Sequence, residues 1–246
     1  MNNKTIVIIP TYNEVENISR IIDLIILENQ HIDVLVVDDN SPDDTASLVV
    51  QKQNSYPDRV FLIKRLHKKG LGTAYIDGFK WSLKNKYDFI ISMDADFSHN
   101  PNELPKMLDS LHAGVDVMIG SRYINGVSVV NWPIGRILLS YFAQIYVRLI
   151  TNMPIKDPTS GFVAYKAKCI DSLDLDKFRF IGYAFQIEMK YKIWKKKYKL
   201  KEHQIIFMNR EFGESKLDKK IMINNLICKN LSINISSIIP NYLSSC

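Results

Sequence analysis

The chain has 246 residues, 46% hydrophobic and 24% charged, a balance that excludes a disordered or fibrous protein and fits one large domain or two small ones. A net charge of +6 and a pI near 9.0 favour anionic partners: nucleotides, phosphates, anionic lipid or nucleic acid. The three cysteines, Cys169, Cys228 and Cys246, lack metal-ligand spacing and exclude a disulfide-stapled scaffold; a reducing compartment with free thiols is expected.

The first expected strand runs from Lys4 to Ile9, with no signal peptide before it, and Pro10 ends it. The loop Pro10-Thr11-Tyr12-Asn13-Glu14 follows. Ile18, Ile21, Ile22, Ile25 and Ile26 then recur with helical spacing, Asn13 serving as the cap and Glu16 lying in the first turn. A second strand, Val34–Val37, leads into Asp38-Asp39-Asn40-Ser41-Pro42, strong turn chemistry, and Asp43 or Asp44 opens the next helix. The third strand is Val60–Ile63. Gly70-Leu71-Gly72-Thr73 leads into a helix containing Ala74, Phe79 and Trp81. A fourth strand, Phe89–Met93, delivers two carboxylates, Asp94 and Asp96. Asn100-Pro101 starts another helix and Val115–Ile119 another strand. Strand and helix thus alternate four times in the first half, which predicts a parallel sheet covered on both faces.

In such a sheet, ligands gather beyond the carboxyl ends of the strands, where Tyr12, Glu14, Asp38, Asp39, Asp94, Asp96, Ser121 and Arg122 fall. No Gly-x-Gly-x-x-Gly follows the first strand and no Walker sequence is present, so any nucleotide is held by other means. Asp94 and Asp96 repel each other and are costly to desolvate; a divalent cation relieves both costs, and hard oxygen ligands suit Mg²⁺ or Mn²⁺. The alternative is a solvated Asp-x-Asp turn capping the next helix.

In the second half, Arg122 is an always-charged fork suited to a phosphate, or else a surface ion pair. Trp132–Ile150 is apolar almost throughout, broken by Arg136, Gln144 and Arg148. It is slightly short for a membrane span and carries two arginines; an interfacial helix (134–150) and a plain core helix both stay open. Asp157-Pro158-Thr159-Ser160-Gly161-Phe162 is a turn presenting an acid and two hydroxyls. Gly182–Glu188 opens a helix in which Glu188 reads as a structural ion-pair partner. Seven lysines lie between 190 and 201, either a solvated helix face or an attraction to anionic membrane. Gln204–Met208 reads as a strand. Ile221–Cys246 is a mixed apolar tail able to dock on lipid, a membrane partner or the domain.

Pro10-Thr11-Tyr12-Asn13-Glu14, Val37-Asp38-Asp39-Asn40-Ser41-Pro42 and Met93-Asp94-Ala95-Asp96, in this order, resemble the family 2 glycosyltransferases of the GT-A fold. Gly70-Leu71-Gly72-Thr73-Ala74-Tyr75 narrows the resemblance to the polyprenol-phosphate mannosyltransferases, and it runs from about Ile6 to Leu217. It implies an α/β, Rossmann-like, mostly parallel sheet flanked by helices, with additional C-terminal helices: a catalytic domain over 1–217 and an amphipathic tail over 218–246. It implies an inverting, metal-dependent transfer of mannose from GDP-mannose to dolichyl or polyprenyl phosphate, peripherally on the cytoplasmic face of a membrane. A membrane-anchoring partner subunit is a further option.

By the same resemblance, Asp94 and Asp96 hold Mg²⁺ or Mn²⁺, with Ser98 as a weaker third ligand where some relatives have Gln. Pro10, Tyr12, Glu14, Val37, Asp39 and Ala95 line the nucleotide pocket, Arg122 lies at the sugar nucleotide, Asp157 lies near the reaction centre, and Arg210 and Lys216 belong to a loop closing over the pyrophosphate. Asp44 stands where the family usually has Gly. Two other functions stay open: transfer of glucose or N-acetylglucosamine from a UDP-sugar to the same lipid, and a catalytically silent nucleotide-binding subunit of a membrane complex. Nucleic-acid binding lacks any recognised motif.

Overall fold

The computed structural model describes residues 3–182 and 184–209. In chain order the elements are β1 (Thr5–Thr11), α1 (Ile18–Glu28), β2 (Ile32–Asp38), α2 (Thr45–Ser55), β3 (Val60–Lys64), α3 (Leu71–Lys84), β4 (Phe89–Ser92), α4 (Leu104–His112), β5 (Val117–Ser121), β6 (Val129–Val130), α5 (Ile134–Thr151), β7 (Val163–Lys166), α6 (Ala167–Asp171), α7 (Ala184–Lys195), β8 (Leu200–Gln204) and β9 (Phe207–Met208). Among the described residues seven strands form one sheet, ordered β3-β2-β1-β4-β7-β5-β8, and β6 pairs with β9 in a small second sheet. Within the large sheet β7 runs antiparallel to both neighbours, and the other pairings are parallel.

The strand sequences explain the two-sided burial. Side chains alternate faces along a strand, and both sets are apolar here. Ile6 and Ile8 of β1 join Leu35, Val37, Ile90 and Val163 on the face covered by α3, α6 and α7. Val7 and Ile9 join Val34, Val36, Ile91 and Ala164 on the opposite face, under α1, α2 and α4. Gly78 of α3 is placed by close approach: a Cβ there would lie 2.7 Å from a methyl of Ile8.

Several expected boundaries move. Pro10 does not end β1, which pairs with β2 as far as Thr11↔Asp38. The ladder to β4 stops at Ile8↔Ser92, so the N–H that proline lacks would have faced no strand on that side. Asn13 does not cap α1; it adopts a left-handed φ of 55°, and the helix begins after Asn17. Asp44 occupies the N-cap position of α2 at φ 64° without a side-chain capping hydrogen bond, a conformation glycine adopts freely and Asp tolerates, which accounts for the departure at that position. The expected strand Gln204–Met208 divides into the end of β8 and β9.

Helix α5 is inverted relative to a core helix. Ser140, Gln144, Val147 and Thr151, at helical spacing, face inward, while Ile134, Leu138, Phe142 and Leu149 are exposed among the described residues. Among those residues no helix is long and apolar enough to cross a membrane.

Candidate functional site

The carboxyl ends of β1, β2 and β4 open into a cleft of about 620 Å³. Pro10 lines it from the end of β1, Tyr12 and Glu14 from the loop that follows, Asp39 from the loop after β2, and Asp94, Ala95 and Asp96 from the loop after β4. The opposite wall is Gly70, Leu71 and Ala74 of the α3 start, with Arg179, Phe180 and Ile181 ahead of α7. These seven sequence-expected residues therefore converge. Val37 is fully buried beneath the cleft, in the core below α3, and is not among its lining. Arg210 and Lys216 lie outside the described residues.

Asp94 follows β4 with its side chain about one-third exposed (36%), while Asp96 is nearly buried. The backbone N–H of Ser98 donates to Asp96 Oδ1 at 3.1 Å, and the turn is made by Phe97 at φ 60°. The Asp94 N–H donates to His99 Nδ1 at 3.2 Å, which puts the imidazole proton on the other ring nitrogen. His99 is stacked on Phe162, centroids 5.0 Å apart, and burial pulls its pKa below the usual value although Asp94 and Asp96 oppose the shift. From α3 the Tyr75 hydroxyl points at Asp94 Oδ1 at 3.5 Å; burial, reinforced by the Asp94 charge, holds that phenol protonated, so it faces the carboxylate as a donor.

Asp39 is fully engaged. It accepts from the N–H groups of Lys69 and Gly70 at 2.9 Å each and from Arg65 Nη1 at 2.9 Å. It thereby fixes the turn carrying Lys68, whose ammonium lies 3.6 Å from the centre of the Tyr12 ring. This wall combines an aromatic face, a cation and a carboxylate, suited to a base and its anionic phosphates.

Next to the cleft, Arg122 and Asp157 form a bidentate pair, Nε and Nη2 each 2.7 Å from the carboxylate, and Arg122 Nη2 also donates to Thr159 Oγ1 at 2.9 Å. Burial opposes both charges. Arg122 nevertheless holds Asp157 below the usual carboxylate range, and Asp157 raises Arg122. Arg122 is therefore a buried ion pair rather than a surface one, within electrostatic reach of Asp94. The α5 stripe reaches the same cluster: Gln144 Nε2 donates to Thr159 Oγ1 at 2.6 Å, and Tyr123 Oη to Ser140 Oγ at 2.7 Å. Glu188 is structural, as its helical setting suggested; it pairs with Lys192 at 2.8 Å and accepts from the Arg179 N–H.

The family model described as glycosyl transferase family 2 matches residues 6–173. The chain belongs to glycosyltransferase family 2. This family 2 glycosyltransferase is 42% identical over 214 residues to a polyprenol monophosphomannose synthase of Mycolicibacterium smegmatis, covering 87% of this chain and 81% of that one. It is 38% identical over 219 residues to an undecaprenyl-phosphate mannosyltransferase of Micrococcus luteus, covering 89% of each. Among solved structures, glucosyl-3-phosphoglycerate synthase of Mycobacterium tuberculosis, crystallised with Mn²⁺, UDP and glucosyl-3-phosphoglycerate, superposes with a TM-score of 0.69 at 17% identity, over 94% of this chain and 79% of that one. That likeness shows the GT-A fold.

The glycosyltransferase site contains residues to which sequence reasoning assigned no role. Tyr75 closes the Gly70–Tyr75 motif and His99 follows Asp94 by five residues, but only the fold brings their side chains to Asp94. Arg65 carried no signal beyond its charge. Lys68 lies in a basic run, Lys68-Lys69, that reads as surface. Among the described residues no group of three or more His, Cys, Asp or Glu assembles a closed metal cage. Two hard carboxylates on the floor of an open cleft still fit a divalent cation that takes its remaining oxygens from water and a substrate phosphate.

Proposed function

We propose that this glycosyltransferase moves mannose from GDP-mannose to the phosphate of a polyprenyl or dolichyl phosphate, inverting the anomeric centre. The observation that carries the reading is the Asp94–Asp96 pair on the cleft floor, in a chain whose relatives are named for mannosyl transfer to polyprenyl phosphates. Asp94 and Asp96 would hold Mg²⁺ or Mn²⁺, with the Ser98 hydroxyl as a weaker third ligand; when bound, the ion neutralises the diphosphate as it leaves.

The chain's own residues supply the rest. Tyr12, Lys68 and Asp39 form the wall against which the base lies. Tyr75 and His99 orient Asp94 through its Oδ1 and its N–H. Arg122, held charged by Asp157, supplies positive potential beside the anionic acceptor, which needs positioning more than a strong base because its phosphate is already ionised near pH 7. Arg210 and Lys216 would clamp the pyrophosphate, within a catalytic domain spanning 1–217 followed by an amphipathic tail over 218–246. Incubating the protein and polyprenyl phosphate with labelled GDP-mannose, UDP-glucose and UDP-N-acetylglucosamine should place label in lipid from GDP-mannose alone. Label entering from a UDP-sugar instead would reassign the donor, and no label from any would favour a silent subunit.

The acceptor's hydrophobic chain needs an apolar landing surface, and the exposed face of α5 supports peripheral attachment to the cytoplasmic leaflet, with or without an anchoring subunit. Exposed lysines at 195, 196, 197, 199 and 201 add attraction of roughly 1 kcal/mol for each residue lying close to an anionic surface. Replacing Ile134, Leu138 and Phe142 with Ser should reduce transfer to long polyprenyl phosphate more than transfer to a short soluble analogue, because their exposure leaves the core intact. Equal losses on both acceptors would remove the lipid role of this helix.

A further inference from the structure

Lys190 is fully buried, unlike the exposed lysines that follow it, so the reading of residues 190–201 as one solvated face fails at this position. It lies in α7, whose residues 185–191 are all buried. Its ammonium donates to the Ser160 carbonyl at 2.7 Å, the Gln186 carbonyl at 3.1 Å and Gln186 Oε1 at 3.4 Å. All three acceptors are uncharged. Desolvating an ammonium against neutral partners costs stability, and an apolar residue of similar length would fill the same space without that cost.

The acceptor that matters is Ser160. Its neighbour on one side, Thr159, receives the Arg122 hydrogen bond. Its neighbour on the other side is Gly161, whose carbonyl accepts from Ser92 Oγ at 2.8 Å. Gly161 lies beside Asp94: a Cβ on it would be in van der Waals contact, 3.6 Å from the carboxylate and 3.7 Å from the His99 ring. The Ser160 carbonyl is thus the midpoint of the loop joining the Arg122–Asp157 pair to the Asp94–Asp96 pair. Lys190 reaches that midpoint from α7, which packs on the same sheet face as α3.

We propose that Lys190 is a positioning residue for the transfer reaction, setting the spacing of loop 157–162 between the two charged pairs through the Ser160 carbonyl. The proposal rests on the reading that both pairs flank the reaction centre. Charged groups face Lys190 from three elements: Asp157 from the loop before β7, Arg122 from the end of β5, and Glu202 from β8. Burial pushes Lys190 down to about 7, with Asp157 and Glu202 favouring its charge and Arg122 opposing it. Asp157 is held below the carboxylate range and Arg122 above the guanidinium range, so neither changes charge there. The charged amine supplies three donors for three acceptors; the neutral amine supplies two.

Two consequences differ in sign. Because the folded pKa lies below the unfolded value of about 10.4, the unfolded chain binds more protons between the two, and stability should rise as pH climbs from about 7 to 10.4. The turnover number should fall over the lower part of the same range, as the third donor is lost.

The test is Lys190→Met in the full chain, assayed with GDP-mannose, Mg²⁺ and polyprenyl phosphate beside the wild type. The expected result is a loss of roughly tenfold to a hundredfold in kcat, with the donor KM unchanged to within about twofold. The melting temperature at pH 6 should be no lower than that of the wild type, and the fall in kcat above pH 7 should be absent. Lys190→Ala, which leaves a cavity, should regain kcat with added propylamine and not with propanol. If Lys190→Met fails to fold, this rescue and the wild-type pH profile decide. Wild-type kcat in a folded variant, a kcat loss matched by lost folded protein, or equal rescue by propanol would overturn the proposal. Unaltered transfer in Arg122→Ala and Asp157→Asn would instead overturn the reaction-centre reading, and the proposal with it.

Discussion

Asp96→Asn should lower transfer by roughly 10²–10³-fold while leaving the melting temperature close to that of the wild type. The amide keeps an oxygen where Oδ1 accepts from the Ser98 N–H, so the turn at Phe97 stays supported. What disappears is one of two negative charges on the cleft floor. Asp94→Asn should behave alike, because its N–H to His99 belongs to the backbone and survives the exchange. Excess chelator should reproduce both losses in the unaltered protein, and Mg²⁺ or Mn²⁺ should restore activity only there. Full transfer in chelator would show that the two aspartates serve as a turn and nothing more.

Asp157→Asn should destabilise the fold by about 3–5 kcal/mol, because it leaves the Arg122 guanidinium buried without its counter-charge. For a chain of this size that lowers the melting temperature by roughly 10 °C. Asp157 is depressed below its ordinary pKa, so its contribution is present above the unfolded value near 3.9 and fades as pH falls through the folded one. The mutational penalty should therefore shrink on acidification. The double variant Arg122→Met, Asp157→Leu should recover most of the stability, since apolar replacement of a whole buried pair is often neutral. It should not recover transfer. Thermal melts and label transfer on the wild type and these two variants separate a structural pair from one that also serves the acceptor. Recovery of both properties would assign it to structure alone.

The alternation of strand and helix was legible because both faces of β1 and β2 are apolar, Ile6 and Ile8 on one side and Val7 and Ile9 on the other, which only a doubly covered sheet requires. Asp94 and Asp96 were legible because two carboxylates at a strand end have few bland explanations. Arg122 and Asp157 were each singled out, but their union across 35 positions is a product of the sheet order. Helix α5 read as ambiguous because its apolar content says nothing of direction; only the inward hydrogen bonds of Ser140 and Gln144 orient it. Lys190 was hidden by its neighbours, since six further lysines made an exposed stripe the natural reading.

Strand β7 sits between β4 and β5, antiparallel to both. Residues 89–92 therefore acquire this neighbour only from residues 163–166, more than seventy positions later. During synthesis the first four strand–helix units emerge with the inner edge of β4 open, its apolar Ile90 and Ile91 awaiting a partner. Long loop closure of this kind is slow, and an open edge invites pairing with another chain. The last strand to enter the middle of the sheet also carries Gly161 and Phe162 to Asp94 and His99. Closing the sheet and completing the site are one event, so a chain interrupted before residue 163 would be both inactive and sticky, and a nascent chain is best sheltered until that strand has arrived.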